Sequence, residues 1–311
     1  MKLNLSDNLF GFEQPDTTGQ RVFRKMFELF IVVASCNLAW KWGVYTLRIS
    51  DVVLPLGVAR YVDIAFMHGN SLPIWNAGLI TILLVIGFAG LSGFGRWSYS
   101  VTFGLLIFQY AARFSLGEIP HSANLVGLGL LGYALGRITF PDSLSGNRFA
   151  VGFSYLFVGL SYTFAAWSKL IASGIFWPDG RHLWMWINEK AVDEIARSGF
   201  VELNFVQEWA LSSIGLATVF LLFGLITEFF AFLVWFKRFR YPVILAIIGL
   251  HMGIWMTMDI LFTLSVWELA ILGLPWAYLI DRFLNRNQKS NPPGPTNSYL
   301  EKSPQLSESR M

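Results

Sequence analysis

Eight stretches of this chain are apolar enough to lie in lipid, near residues 22–42, 74–92, 97–114, 121–138, 149–173, 209–236, 241–258 and 260–281. No other feature restricts the fold so strongly. About 20 apolar residues carry a helix across the hydrocarbon core of a bilayer. There the backbone must satisfy its own hydrogen bonds, so segments of this length are helical. Charged residues make up only 14% of the chain, where a soluble domain carries about a quarter. The expectation is an all-α, polytopic integral membrane bundle of about eight transmembrane helices. It divides into a segment 1–20, a transmembrane domain 21–282 and a disordered polar tail 283–311.

Orientation follows from the basic residues. With eight spans both termini share a side, and that side collects 15 Lys and Arg against 7 on the other. The short loop "FKRFRYP" weighs most, because short loops follow the positive-inside rule best. Both termini are expected in the cytoplasm, with a bacterial-type plasma membrane as the location. The first twenty residues have no hydrophobic core with a cleavage site, so no removable signal peptide is expected. The net charge of +3 comes without a dense basic run, which argues for membrane orientation and against a nucleic-acid partner. One cysteine, Cys36, rules out an intrachain disulfide and a thiolate cluster. The outer segment 174–208 carries Trp177, Trp184 and Trp186 followed by charges, the pattern of an amphipathic helix at an interface.

Ionisable residues inside such segments are costly and mark candidate sites. Five stand out: His121, Lys169, Glu228, His251 and Glu268. Lys169 lies 21 residues beyond Arg148, about 31 Å along a helix, which predicts a position at the outer end of its span. His121 and His251 fall at a similar height, and the three basic groups are expected to face one pocket with Tyr162 in reach. Each has a plainer reading. Lys169 could snorkel to the outer interface, His121 could be a solvated cap, and His251 could be a packing histidine. Glu228 is expected to pair with Lys237 or Arg240, and Glu268 to be protonated and hydrogen-bonded. No i, i+4 histidine pair or carboxylate cluster suggests a metal.

The stretch "YTFAAWSKLIASGIFWPDG" resembles the signature of the HTTM (horizontally transferred transmembrane) family, which includes the membrane core of vitamin K-dependent γ-glutamyl carboxylases. The matching residues are Tyr162, Ala165, Ala166, Lys169, Leu170, Trp177 and Gly180. "IPHSANLVGLGLL" is similar to the family's His-Ser followed by a Gly-Leu helix. "GLITEFFAFLVWFKRFRYPVILAIIGLHMGIWMTMDILF" has its Glu, basic loop, His and terminal Phe in the family's order.

The resemblance covers roughly residues 20 to 280 and implies a quinol-dependent carboxylase or oxygenase, a lyase-type enzyme. Lys169 would be the base that deprotonates a reduced quinone of the vitamin K or menaquinol type. His121 and His251 would complete the catalytic set. Tyr162, Ser122, Trp177 and Glu228 would line the quinol site. In the family's reaction the quinol anion reacts with oxygen to give a strong base. That base removes a proton from a glutamate of a protein or peptide substrate, and the carbanion captures carbon dioxide. The carboxylase's large lumenal region has no counterpart here, since the chain ends in a short polar tail. A non-enzymatic membrane partner, or a helper in peptide maturation, is therefore the alternative. A transporter with Glu228 and Glu268 as a proton path ranks third, because no inverted repeat is visible.

Overall fold

The computed structural model describes residues 5–12, 15–49, 60–91, 93–117 and 121–290. Among these residues there is no strand. Twelve α-helices follow one another: α1 (Leu5–Leu9), α2 (Thr18–Leu47), α3 (Leu72–Ala89), α4 (Gly95–Phe114), α5 (Asn124–Thr139), α6 (Ser143–Ser173), α7 (Gly180–Ser198), α8 (Phe205–Ser212), α9 (Ile214–Phe229), α10 (Lys237–Met258), α11 (Thr263–Gly273) and α12 (Trp276–Ser290).

Local chemistry sets the boundaries. Thr17 and Gln20 form a reciprocal capping box ahead of α2, which satisfies two of the orphan N–H groups of its first turn. Asp142 caps α6 by accepting from the Ser145 N–H at 2.7 Å. That hydrogen bond holds the Asp142 carboxyl below its ordinary value. Gly174, at φ 65°, ends α6 in a conformation that favours glycine. Between α9 and α10 the chain tightens into a 3₁₀ segment, Ala231–Trp235.

Three single helices are long and apolar enough to cross a membrane: α3, α6 with its 3₁₀ extension to Phe176, and α10. Two bent pairs reach the same standard if each counts as one span: α8 with α9, bent by 114°, and α11 with α12, bent by 51°. The expected stretch 260–281 is thus not one helix. It breaks between Gly273 and Trp276, at Leu274 and Pro275, because Pro275 has no N–H to continue the ladder. The helix α5 has 16 residues, about 24 Å, short of a core about 30 Å thick. The tail expected from 283 onward is helical as far as Ser290, and 291–311 lie outside the described residues.

Most of the core is one cluster drawn from α2 to α6, α10 and α11, with Phe27, Ile31, Ile80, Leu130, Val158 and Leu269 fully buried. Glycines set the closest approaches. A Cβ on Gly136 of α5 would lie 2.6 Å from the Gly146 carbonyl oxygen of α6, so these helices meet backbone to backbone. A smaller cluster holds Leu183 and Ile187 of α7 against Ala210 of α8 and Ala217 and Leu221 of α9. Trp177, Trp184 and Trp186 pack on it, and Asp193, Glu194 and Arg197 follow on the later turns of α7. A helix thus forms within the segment 174–208, with the apolar residues of its first half against α9.

One end of the bundle gathers cations. Arg148 donates to the Gly11 carbonyl at 2.8 Å and to Asp16 at 2.7 Å, and Arg240 donates to the Asn8 carbonyl at 2.8 Å. Lys25 and Arg137 both reach Glu28, and Arg96 donates to the Arg137 carbonyl. These residues come from five helices, so these five of the basic positions counted on the terminus side share one end.

Candidate functional site

Near the opposite end, α7, α8, α9 and α10, with Lys169 of α6, line a half-open cavity of about 710 Å3. Its walls are almost wholly apolar. Phe220 and Phe223 come from α9, Leu183 and Trp186 from α7, and Met252 and Met256 from α10. Gly249 and Gly253, one turn apart on α10, face it with open space where a side chain would stand. One side of this cavity is held by hydrogen bonds from the α8 segment to the end of α10. Asn204 Nδ2 donates to the Met256 carbonyl at 2.8 Å, and Gln207 Nε2 to the Thr257 carbonyl at 3.1 Å.

Lys169 and Glu228 are the only charged groups among the described lining residues. They form an ion pair. Lys169 Nζ donates to Glu228 Oε1 at 2.5 Å and also contacts Oε2. The Glu228 side chain is 8% exposed and that of Lys169 29%. The ammonium also lies 4.7 Å from the centre of the Trp177 ring, within cation–π range. Several of the lysine's neighbours are thus anionic or π-rich, which suits a cation in an apolar site.

This pairing corrects one expectation. Glu228 does not pair with Lys237 or Arg240; its partner is on α6. Lys169 lies four residues before the end of α6, toward the outer end of that helix. The helices α6 and α9 run antiparallel, with Trp167 against Phe229 and the Phe232 N–H donating to Thr163 Oγ1 at 3.1 Å. Glu228 lies 14 residues beyond the start of α9, about 21 Å along its axis. The count from Arg148 gave the right distance along α6 but missed how far α9 extends past it.

His251 and Tyr162 form a second pair. The tyrosine oxygen is 2.5 Å from His251 Nε2, and the imidazole is only 6% exposed. Its Nδ1 is buried with no hydrogen-bond partner. Phe262 packs on the imidazole at 5.1 Å between ring centres and also lines the cavity, so His251 sits behind the wall. Tyr162 is within electrostatic reach of both Glu228 and Glu268. Glu268 is 1% exposed and its Oε2 has no partner.

His121 and Ser122 are not brought to Lys169. They occupy a 3₁₀ turn, His121–Ala123, ahead of α5, and neither lines the cavity. His121 is exposed. The Ser122 carbonyl accepts from Ser265 Oγ of α11 at 3.4 Å. The expected pocket of His121, Lys169 and His251 is therefore replaced by two pairs, Lys169 with Glu228 and Tyr162 with His251. Trp186, Phe220 and the Met face of α10 were missed by sequence reasoning. The i, i+4 glycines in "GLHMGIWM" were the available signal for an open helix face. No group of three or more His, Cys, Asp or Glu converges as a metal site among the described residues.

Comparison of the chain with family models, curated proteins and solved structures gives no match.

Proposed function

We propose that this chain is a polytopic membrane protein of HTTM type, whose cavity binds a lipid-soluble quinol and whose Lys169–Glu228 pair moves the quinol's proton. One observation carries the reading: a single ion pair in an otherwise apolar cavity of about 710 Å3. A prenylated quinol has the matching chemistry, a weakly acidic hydroxyl on an aromatic head and a long apolar tail. The aromatic and methionine walls suit the ring and tail, and the ion pair suits the hydroxyl. About eight membrane passages, with both termini cytoplasmic, fit the gathering of basic residues at one end of the bundle.

When bound, the quinol supplies an acidic hydroxyl and two electrons. As an ammonium, Lys169 has three donors and no lone pair. It becomes a base when its proton resides on Glu228, which its close contact with both carboxylate oxygens permits. The pair acts as one unit, with Glu228 holding a proton and Lys169 offering a lone pair to the hydroxyl. Trp177 fixes the amine from a second side. Tyr162, held by His251, stands close enough to Glu228 to influence where that proton rests. The acceptor would be a protein or peptide carboxylate, as in the carboxylases the chain resembles.

The second reading, a quinone-binding partner protein without turnover, draws support from the position of His121 outside the cavity. Lipid mass spectrometry of the purified protein, followed by oxygen-dependent quinol consumption, separates the two. A co-purifying quinone with turnover lost in Lys169→Ala and in Lys169→Arg supports the enzyme, because a guanidinium does not deprotonate in proteins. Quinone binding without turnover supports the partner reading. Absence of a co-purifying quinone, together with no quenching of tryptophan fluorescence by added menaquinone, sinks both.

A further inference from the structure

At the end of the bundle that gathers cations lies a second depression, of about 500 Å3, walled by the ends of α2 to α6. Lys25, Arg96 and Arg137 line it, and Asp142 is the one acid among the described lining residues. The cations are fixed from behind. Glu28, fully buried, accepts from Lys25 at 3.0 Å, from Arg137 at 2.7 Å and from the Tyr99 hydroxyl at 2.6 Å. Lys25 also donates to the Phe88 carbonyl at 2.7 Å. Arg96 donates from Nε to the Arg137 carbonyl at 3.0 Å and from Nη2 to the Ile138 carbonyl.

These bonds orient the three groups without exhausting them. An ammonium has three N–H donors and a guanidinium five, so Lys25 keeps one and Arg96 three. Three cations face two carboxylates, and one of those, Glu28, is sealed beneath the surface. Oriented, partly satisfied arginine and lysine donors around a concave site are the chemistry that holds phosphate. The surroundings are apolar: Phe88 and Phe140 line the depression, and Leu91, Phe94 and Trp97 are exposed in the adjoining turn and first turn of α4.

We propose that this depression binds a phosphate-bearing anion, either the headgroup of an anionic phospholipid or a soluble phosphate. The assignment does not depend on the quinol reading, since no residue is shared between the two cavities. The site is tested with the full chain in mixed micelles of phosphatidylglycerol and phosphatidylcholine, read by native mass spectrometry. Phosphatidylglycerol is retained in preference to phosphatidylcholine. Lys25→Gln combined with Arg96→Gln weakens that retention roughly 30-fold, from about 1 kcal/mol for each cation removed. Arg282→Gln with Arg286→Gln, at exposed positions on α12 outside the depression, leaves it unchanged.

Displacement of the lipid by millimolar inorganic phosphate assigns a soluble phosphate to the site; resistance to displacement assigns the lipid headgroup. Equal losses in the α12 variant, or unchanged retention in a pocket variant of native melting temperature, overturn the proposal. Should the double variant not fold, Lys25→Gln alone keeps the test. Its side chain is 47% exposed, and a loss of about fivefold is expected.

Discussion

Removing the carboxylate of Glu228 should destabilise the protein far more than removing the carboxylate and the amine together. Glu228→Gln leaves the Lys169 ammonium in the cavity without its counter-ion, with only the Trp177 ring beside it. Breaking a buried pair from one side typically costs about 3–5 kcal/mol, whereas replacing both partners by apolar residues is often neutral or better. The 29% exposure of the lysine side chain lowers the expectation to about 2–3 kcal/mol for Glu228→Gln. A similar loss is expected for Lys169→Met, which strands the carboxylate. Lys169→Met with Glu228→Leu should fall within about 1 kcal/mol of the native protein. The coupling energy is then about 3 kcal/mol or more, well above the roughly 0.5 kcal/mol scatter of independent sites. Reversible unfolding in mixed detergent and dodecyl sulfate micelles measures all four species. Additive losses in the double variant would mean that the two charges do not feel each other, and the cavity would lose its one polar feature.

The other expectations are simpler to state. Tyr162→Phe deprives His251 Nε2 of its partner while Nδ1 already has none, so the same unfolding assay should show a loss of about 1–3 kcal/mol; an unchanged midpoint would mean that the two side chains do not bond. Burial alone would push the Asp16 carboxyl up, but hydrogen bonds and charges from Arg24 and Arg148 outweigh it and hold the group below its ordinary value. Its stabilisation is therefore fully present above the ordinary carboxylate range and is lost as the pH falls through the depressed value. Asp16→Asn should lower stability at neutral pH and flatten the acid limb of the stability curve, and a parallel curve would contradict the arginine clamp. Ser198→Cys, in a Cys36→Ser background, should react with an impermeant thiol reagent in intact cells. Reaction only after lysis would reverse the orientation inferred from the basic residues.

What the sequence disclosed was height, and what it hid was direction. Apolar runs located the helices because burial in lipid or in a helical core demands the same residues. Pro275 marked a break that the hydropathy of 260–281 overrode. Counting along α6 placed Lys169 correctly relative to Arg148. Nothing in a linear count tells which neighbour a side chain turns toward, so Glu228, 59 residues away, was assigned to the nearest basic loop. His121 failed for the same reason. Equal height does not put two groups in one cavity when the first stands at a turn beside α11 and the second lies behind the wall of α10.

The 3₁₀ segment Ala231–Trp235 sits directly beneath Glu228, between that residue and the basic start of α10. A 3₁₀ helix turns 120° and rises about 2.0 Å per residue, against 100° and about 1.5 Å for an α-helix. Rewinding these five residues as α-helix would therefore shorten the column by about 2.5 Å and rotate everything above it by about 100°. Such a screw motion would swing the Glu228 carboxylate off Lys169 and turn it toward a different neighbour of α9. The ion pair, the bond from the Phe232 N–H to Thr163 and that from Trp235 Nε1 to the Leu156 carbonyl are latches that set the thread. Whatever neutralises Lys169 thus releases one latch of α9, and amide exchange at Phe232 in Lys169→Met is where that slack would be read.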